Sequence, residues 1–179
     1  MLTMSELVRT GSVNPVFPAR LERAKDLTDI FEVVKEAVRV QMGISRAGLM
    51  LGLAEMGGDN KSFVGGLYPV TSNIIVMNKS VLNRIMVMQP DLYKSYAFHV
   101  LLHEYLHAIG ILDEEETRRR AYSISVALFG KDHKTTYIAE DISRVLPFFT
   151  YAEPKMDDEV TMDIELVKGF DRSSVNYIN

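Results

Sequence analysis

The chain contains two histidines four residues apart, His103 and His107, and a glutamate, Glu104, follows the first of them. Residues four apart on an α-helix share a face about 6 Å apart along the axis, so both imidazoles can bind one metal ion. Glu104 lies about 100° further round such a helix than His103. From that position a carboxylate can act as general base on a water molecule beside the metal. The pattern therefore predicts hydrolysis by a metal-activated water.

The residues around this motif favour a helix. No glycine or proline occurs between Asp91 and Ala108, and the composition there is rich in Ala, Leu and Tyr. Gly110 should end the helix, since it has no Cβ to penalise a left-handed turn. His99 lies on the same stripe, but it is about 12 Å along the axis from His107, too far for one ion to bridge. We expect His99 to line the cleft wall or to pack in the core.

A third protein ligand must come from a carboxylate or another histidine, because the chain has no cysteine. Asp113, six residues after His107, is our first choice. The same residue matches the N-cap of a following helix, with Glu116 completing a capping box, and a carboxylate has oxygens for both tasks. Glu116, Glu115 and Glu140 are the alternative third ligands.

The segment 103–113 reads HEYLHAIGILD and resembles the HExxHxxGxxH/D signature of metzincin-type metallopeptidases. The small size is similar to that of single-domain zincins and minigluzincins. This resemblance implies a zincin-like metallopeptidase with a peptide or protein substrate. It implies Zn²⁺ bound by His103, His107 and Asp113, with Glu104 polarising the attacking water. It covers residues 63–129; an aspartate replaces the usual third histidine, and no clear Met-turn follows.

Length and composition predict one domain over residues 1–179. The chain is 47% apolar, which is typical of a globular protein. We find neither a secretory signal nor a membrane span, so a cytoplasmic location is expected. Residues 151–179 hold seven acidic and three basic side chains, a net charge equal to that of the whole chain. Because residues 1–150 are therefore balanced, nucleic-acid binding is not expected.

Hydrophobic periodicity predicts both helices and strands, and with the resemblance to zincins this implies an α+β fold, in which a short mixed β-sheet packs on the central active-site helix with further helices around it. Residues 1–17 are expected to be irregular. The predicted helices are Arg20–Met42, a short one between Ser80 and Pro90, the central one from Asp91, Glu114–Phe129 and Tyr137–Leu146. The predicted strands are Ala47–Leu53, Phe63–Val70, Asn73–Met77 and Val160–Leu166.

Two of these strands carry functional expectations. In zincins a sheet-edge strand before the active-site helix pairs with the extended substrate, so the resemblance makes Asn73–Met77 a candidate substrate-binding edge, and a plain core strand is the other interpretation. The acidic segment containing Val160–Leu166 either completes the sheet or covers the cleft with an acidic side chain. Both alternatives are open at this point.

Other functions and residues also remain open. The main alternative is a non-catalytic zincin-like module that uses the metal for stability or partner binding. A similar His-rich helix serves small endoribonucleases, but their motif has three histidines and usually lacks the glutamate. Candidate oxyanion stabilisers are Tyr122, His133 and Tyr137. The run Arg118–Arg120 is either a solvated face or a site for a substrate carboxylate.

Overall fold

The computed structural model describes residues 15–56, 64–145 and 163–171, which form a mixed α+β fold. In chain order the elements are α1 (Val16–Arg23), α2 (Leu27–Met42), β1 (Met50–Ala54), β2 (Gly66–Leu67), β3 (Ile74–Asn78), α3 (Lys79–Met88), a 3₁₀ turn at Pro90–Leu92, α4 (Tyr93–Ala108), α5 (Glu114–Phe129), α6 (Lys134–Glu140), α7 (Ile142–Val145) and β4 (Glu165–Leu166). Within these ranges, no helix is both long enough and apolar enough to cross a lipid bilayer.

The strands form a small mixed sheet in the order β2-β3-β1-β4. Strands β1 and β3 are parallel, with Met50 opposite Ile74, whereas β2 runs antiparallel to β3 and β4 antiparallel to β1. Strand β3 therefore lies inside the sheet, and its residues are almost all buried. Of the two interpretations of Asn73–Met77, the edge is wrong and the core strand is confirmed, because Val76 and Met77 pair with β1 on one side and with β2 on the other. Among the described strands, β2 and β4 are the edges.

Helix α4 is the centre of the fold. It contacts α2, α5 and α6 as well as strands β2 and β3. Because it is surrounded in this way, most of its side chains are buried, including Phe98, Leu101 and Tyr105. Phe31 of α2 packs edge-on against Tyr105, with ring centroids 5.5 Å apart. The predicted central helix is confirmed, and its burial fixes the orientation of every polar side chain that it carries.

The N-terminal region differs from the sequence-based prediction. Residues 16 and 17 are helical rather than irregular, and two helices replace the single one expected from Arg20 to Met42. Pro15 and Pro18 fall at the start of α1, where backbone N–H groups have no helical partner, so they do not break it. Asp26 begins α2 as its N-cap, accepting a hydrogen bond from the Asp29 amide at 2.8 Å.

The predicted helix Glu114–Phe129 is confirmed at both ends. Asp113 caps it by accepting a hydrogen bond from the Glu116 amide at 2.8 Å, and Gly130 follows its last residue. The next helical region is divided into α6 and α7 at Asp141. It begins earlier than the predicted Tyr137, because the His133 ring accepts a hydrogen bond from the Thr135 amide.

The described part of the C-terminal segment joins the sheet. Of the predicted strand, Glu165 and Leu166 pair with β1, whereas residues 160–162 lie outside the described residues. Asp171 is buried and forms an ion pair with Lys35 of α2, and its second oxygen accepts a hydrogen bond from the Leu49 amide at 3.2 Å. Residues 163–171 therefore lie at the sheet edge opposite β2.

Candidate metal centre

Three side chains from two helices converge at the end of α4. The Nε2 atoms of His103 and His107 lie 3.1 Å apart. One oxygen of Glu114 lies 2.9 Å from His107 Nε2, and the other lies 3.2 Å from His103 Nε2. His103 and His107 share a face of α4, and Glu114 is the first residue of α5. The reversal at Gly110, where φ is +110°, brings the start of α5 back to the histidines.

The hydrogen bonds of His107 fix which ring nitrogen faces the cluster. Its Nδ1 lies 2.7 Å from the carbonyl oxygen of Ile111, which can only accept a hydrogen bond. When the ring is neutral with its proton on Nδ1, the Nε2 lone pair points toward Glu114 and His103 and is available to a cation; without a cation, Nε2 can instead donate to the Glu114 oxygen 2.9 Å away. A backbone carbonyl bound to the distal nitrogen is the usual way in which proteins orient a metal-binding histidine.

The donor set suits a divalent cation. Two imidazole nitrogens and a carboxylate oxygen, all within 4.8 Å of one another, form a group that can hold one metal ion. The carboxylate is already ionised in this setting, because hydrogen bonding to His103 and the charges of both histidines lower the pKa of Glu114 to about 2. The residues present therefore fit a metal ion, with the remaining coordination positions left for water or substrate.

The first choice from the sequence, Asp113, lies next to this cluster but outside it. Its carboxylate is used as the N-cap of α5, and the convergent group of described residues contains Glu114 instead. Glu116 forms ion pairs with the arginines one turn along α5, and Glu115 is exposed. Glu140 lines a neighbouring cavity rather than the cluster. Of the four carboxylates considered from the sequence, none is in the group.

A helical pattern in the sequence identifies Glu114. It lies on the same stripe of α5 as four buried side chains spaced three and four residues apart, namely Thr117, Ala121, Ile124 and Leu128. The carboxylate at the start of this stripe is directed toward α4, whereas its neighbours at 115 and 116 fall off the stripe. This helical periodicity is the signal in the sequence that points to Glu114 as a candidate ligand.

Glu104 is buried beside the cluster, with 3% of its surface exposed. Burial raises the pKa of Glu104 to about 8, the negative charge of Glu114 adds to the rise, and a hydrogen bond from the backbone amide of Tyr68 opposes it. Glu104 is not among the three clustered side chains. The structure thus separates this carboxylate from the metal-binding group while keeping both on the same end of α4.

Strand β2 passes close to Glu104, and glycine at position 66 permits this. A Cβ atom on Gly66 would lie 2.9 Å from Cγ1 of Val100, 3.0 Å from the carbonyl oxygen of Val76 and 3.4 Å from Cγ of Glu104. Any side chain would push the strand away from α4. The glycine therefore allows an edge strand to run directly over the helix that carries the candidate base.

Arg46 ties this region together through its guanidinium group. The group donates hydrogen bonds to the Tyr68 hydroxyl at 2.7 Å, to the Ser72 carbonyl at 2.9 Å and to the Ala108 carbonyl at 2.5 Å. The Tyr105 hydroxyl accepts a bond from the Arg46 amide at 2.8 Å. Arg46 thus joins the turn after β2 to the C-terminal end of α4.

A cavity of about 380 Å³, which we call the side cavity, adjoins the cluster at His103. Its lining comprises His99 and His103 of α4, Arg118 of α5 and residues 138–142. Of the two interpretations of His99, the cleft wall agrees with this lining, whereas a satisfied core histidine does not, because its buried Nδ1 has no hydrogen-bond partner among the described residues. Burial, with a contribution from His103, lowers the pKa of His99 to about 3, so its ring is neutral.

The three oxyanion candidates from the sequence lie elsewhere. His133 caps α6 and packs on the Phe129 ring, with centroids 4.9 Å apart. The Tyr137 hydroxyl lies 3.5 Å from a carboxylate oxygen of Asp132, and the Tyr137 side chain is exposed. Tyr122 belongs to neither the cluster nor the side cavity lining. The structure brings none of the three to the metal-binding group.

Three comparisons place this arrangement against known proteins. No protein-family model, no curated protein and no solved structure matches the chain. Its chemistry must therefore be inferred from the residues themselves.

Proposed function

We propose that the chain is a zinc-dependent metallopeptidase with a zincin-like fold. The observation that carries the proposal is the convergence of His103, His107 and Glu114 beside the buried carboxylate of Glu104. Two imidazoles and a carboxylate form a donor set of the kind found in catalytic zinc sites, which keep a position open for water or substrate. A second carboxylate outside the donor set supplies the group that such hydrolysis requires.

His103, His107 and Glu114 would hold the ion. When bound, the ion would polarise the scissile carbonyl and lower the pKa of a neighbouring water molecule. The Ile111 carbonyl keeps His107 in the tautomer whose Nε2 can bind a cation. Thr117 stabilises that loop, because its hydroxyl donates to the Asp113 carbonyl at 2.7 Å. The chain therefore holds its donor atoms in place through backbone groups of residues 111–113.

Glu104 accepts the proton of the attacking water and returns it to the leaving amine. A carboxylate that must both take and release a proton works best with a pKa near the working pH, and burial raises the pKa of Glu104 to about 8. The amide of Tyr68 holds the carboxylate in position. Because β2 and α4 exclude water on this side, the proton moves between the carboxylate and the substrate rather than to bulk solvent.

The substrate would lie along β2. This strand pairs with β3 on one side and has no strand partner on the other among residues 15–56, 64–145 and 163–171. An extended peptide can add to such an edge through backbone hydrogen bonds. Because Gly66 lies against Glu104, a peptide on β2 would run past the general base and the donor set. This placement supports a peptide substrate.

The test uses the purified chain supplied with zinc, with metal content measured beside hydrolysis of a quenched-fluorescence peptide library. Glu104→Gln keeps the shape of the side chain and removes its basicity. We expect it to slow hydrolysis by about 10²–10⁴-fold, the usual contribution of a general base, while the zinc content stays at that of the wild type.

The matched control is Glu115→Gln, which makes the same change on an exposed residue of α5. We expect its rate to equal that of the wild type. Undiminished hydrolysis by Glu104→Gln would contradict the mechanism. Bound zinc that raises the melting temperature without any hydrolysis would instead support the non-catalytic metal-binding module.

A further inference from the structure

The side cavity adjoins the candidate metal centre along α4. His103 belongs to both, and His99, one helical turn earlier, lines the cavity as well. The two imidazole rings lie close together, with centroids 6.4 Å apart. A peptide bond held at the proposed metal ligands would therefore have this cavity beside it, and a volume of about 380 Å³ is ample for one substrate side chain.

The charged side chains of the cavity lining are already engaged by the protein. Arg118 lies 3.8 Å from an oxygen of Glu114, and Glu140 and Asp141 each have an interaction partner within the chain. A charged substrate side chain would therefore find no free counter-ion in the lining that the structure describes. Because burying an unpaired charge is costly, the lining favours an uncharged side chain.

His99 differs from the other polar residues of this lining. It is only partly buried, and its Nδ1 is enclosed without a hydrogen-bond partner among the described residues. Nε2 is not enclosed in this way, so the ring reaches the cavity through the edge that carries Nε2. A proton on Nδ1 would be a buried donor without an acceptor, whereas a proton on Nε2 can be donated into the cavity. The neutral ring therefore presents an Nε2–H donor there.

Apolar groups complete the lining. Ile138 is buried and, with Ala139 and Ile142, gives the cavity a hydrocarbon surface. A side chain that ends in a carboxamide has the matching construction, because its methylenes pack on apolar surface while its carbonyl oxygen accepts a hydrogen bond from His99. A wholly apolar side chain would leave the donor unpaired, and an acidic one would bring a further negative charge beside the carboxylates of the lining.

We propose that the side cavity binds a carboxamide side chain of the substrate, glutamine or asparagine, next to the scissile bond, and that His99 selects it by donating a hydrogen bond from Nε2. This inference rests on the proposed peptidase function and names its substrate class. His99 is a specificity-determining residue in this arrangement, and the hydrolytic step stays with Glu104 and the proposed metal ligands.

The experiment measures binding apart from hydrolysis. Blocked peptides that carry Gln, norleucine or Glu on either side of the central bond, and are otherwise alike, are titrated into the zinc-loaded Glu104→Gln chain. The three side chains have similar lengths, and they offer a neutral acceptor, no acceptor and a charged acceptor. We expect the Gln peptides to bind about fivefold more tightly than the norleucine peptides, as for one net hydrogen bond, and the Glu peptides to bind most weakly.

A variant in the same background tests the residue. His99→Phe keeps an aromatic ring of similar shape and removes both ring nitrogens, so Gln and norleucine peptides should bind it equally while its zinc content stays unchanged. The control Tyr122→Phe removes a polar atom from α5 outside the cavity lining, and it should keep the full preference. A Gln preference that persists in His99→Phe would contradict the role of His99.

A second measurement needs no change at position 99. In nitrogen NMR spectra of the histidine rings, the Nε2–H signal of His99 should move downfield with the Gln peptides and stay in place with the norleucine peptides. Equal affinities for the three peptides, tightest binding of the Glu peptides, or an Nε2–H signal that Gln peptides leave in place would overturn the inference.

Hydrolysis by the wild-type chain is then measured on the same peptides. A Gln preference in binding without any cleavage would retain the cavity inference as a binding property and overturn the peptidase function. Cleavage of all three peptides at equal kcat/KM, with equal binding, would retain the peptidase function and overturn the cavity inference. The two proposals therefore fail separately.

Discussion

Two clusters of ionisable side chains in this fold differ in which atoms they bring together. Lys35 and Asp171 form an ion pair that also includes Glu32 and the Leu49 amide, so opposite charges and a backbone donor meet there. At the end of α4, His103, His107 and Glu114 bring mainly acceptor atoms together. The first group joins a buried lysine to a buried carboxylate and a backbone donor, whereas the second has the composition of a site that a cation completes.

The two groups also differ in how far apart their residues lie in the sequence. Lys35 and Asp171 are 136 residues apart and hold the C-terminal segment against α2. The residues of the candidate metal centre lie within residues 103–114, on two consecutive helices. Disruption of the first group should therefore weaken the whole fold, while disruption of the second should remove ligand binding and leave most of the fold intact.

The largest expected effect on stability is that of Lys35→Met. Removing the lysine leaves Asp171, which is 3% exposed, as a buried and uncompensated carboxylate. Such a change costs about 3–5 kcal/mol of unfolding free energy. Denaturant unfolding measures it. Arg39→Met is the control on the same helix, because its side chain is 60% exposed and its pair with Glu36 contributes little. Equal losses in the two variants would contradict the comparison.

Glu114→Ala should have the largest effect on metal binding. Loss of an outer-shell partner alone costs about 10–100-fold in metal affinity, so loss of a ligand should cost at least about 100-fold. Competition against a zinc-binding dye measures this affinity. Glu115→Ala removes the next carboxylate of the same helical turn and should bind zinc as the wild type does. If the two variants bound zinc equally, Glu114 would not be a ligand.

Asp113→Ala should have the smallest effect of the three variants, and it should change stability without changing metal binding. Loss of the N-cap that accepts from the Glu116 amide costs about 1 kcal/mol, which thermal unfolding in the absence of metal will show. Zinc affinity should stay within a few-fold of the wild type. A loss of zinc affinity as large as that of Glu114→Ala would return Asp113 to the ligand set.

Local sequence signals were enough to predict the elements that carry the centre. The cap at Asp113 and the glycine at position 130 mark both ends of α5, and the uninterrupted run before Gly110 marks α4. The pairing of His103 with His107 follows from helical geometry alone. These features depend on residues a few positions apart, which a sequence displays directly.

The features that the sequence did not reveal depend on distant partners. The interior position of β3 results from its pairing with both β1 and β2, and a strand pattern does not say which strands will be its neighbours. The choice of Glu114 over Asp113 depends on how α5 packs against α4. The raised pKa of Glu104 results from its burial, to which the close approach of strand β2 contributes, and from the charge of Glu114.

The hydrogen bonds of Arg46 bear on the order in which the parts of the molecule fold. Its hydrogen bonds join residues 22, 26 and 62 positions apart, and contacts of such sequence separation form late because long loops must first close. The proposed metal ligands need only two neighbouring helices. Under the proposed function, a folding chain would therefore bind a cation before the dry surroundings of Glu104 form, so that hydrolytic competence would arise with the last tertiary contacts and a partly folded chain would be inert.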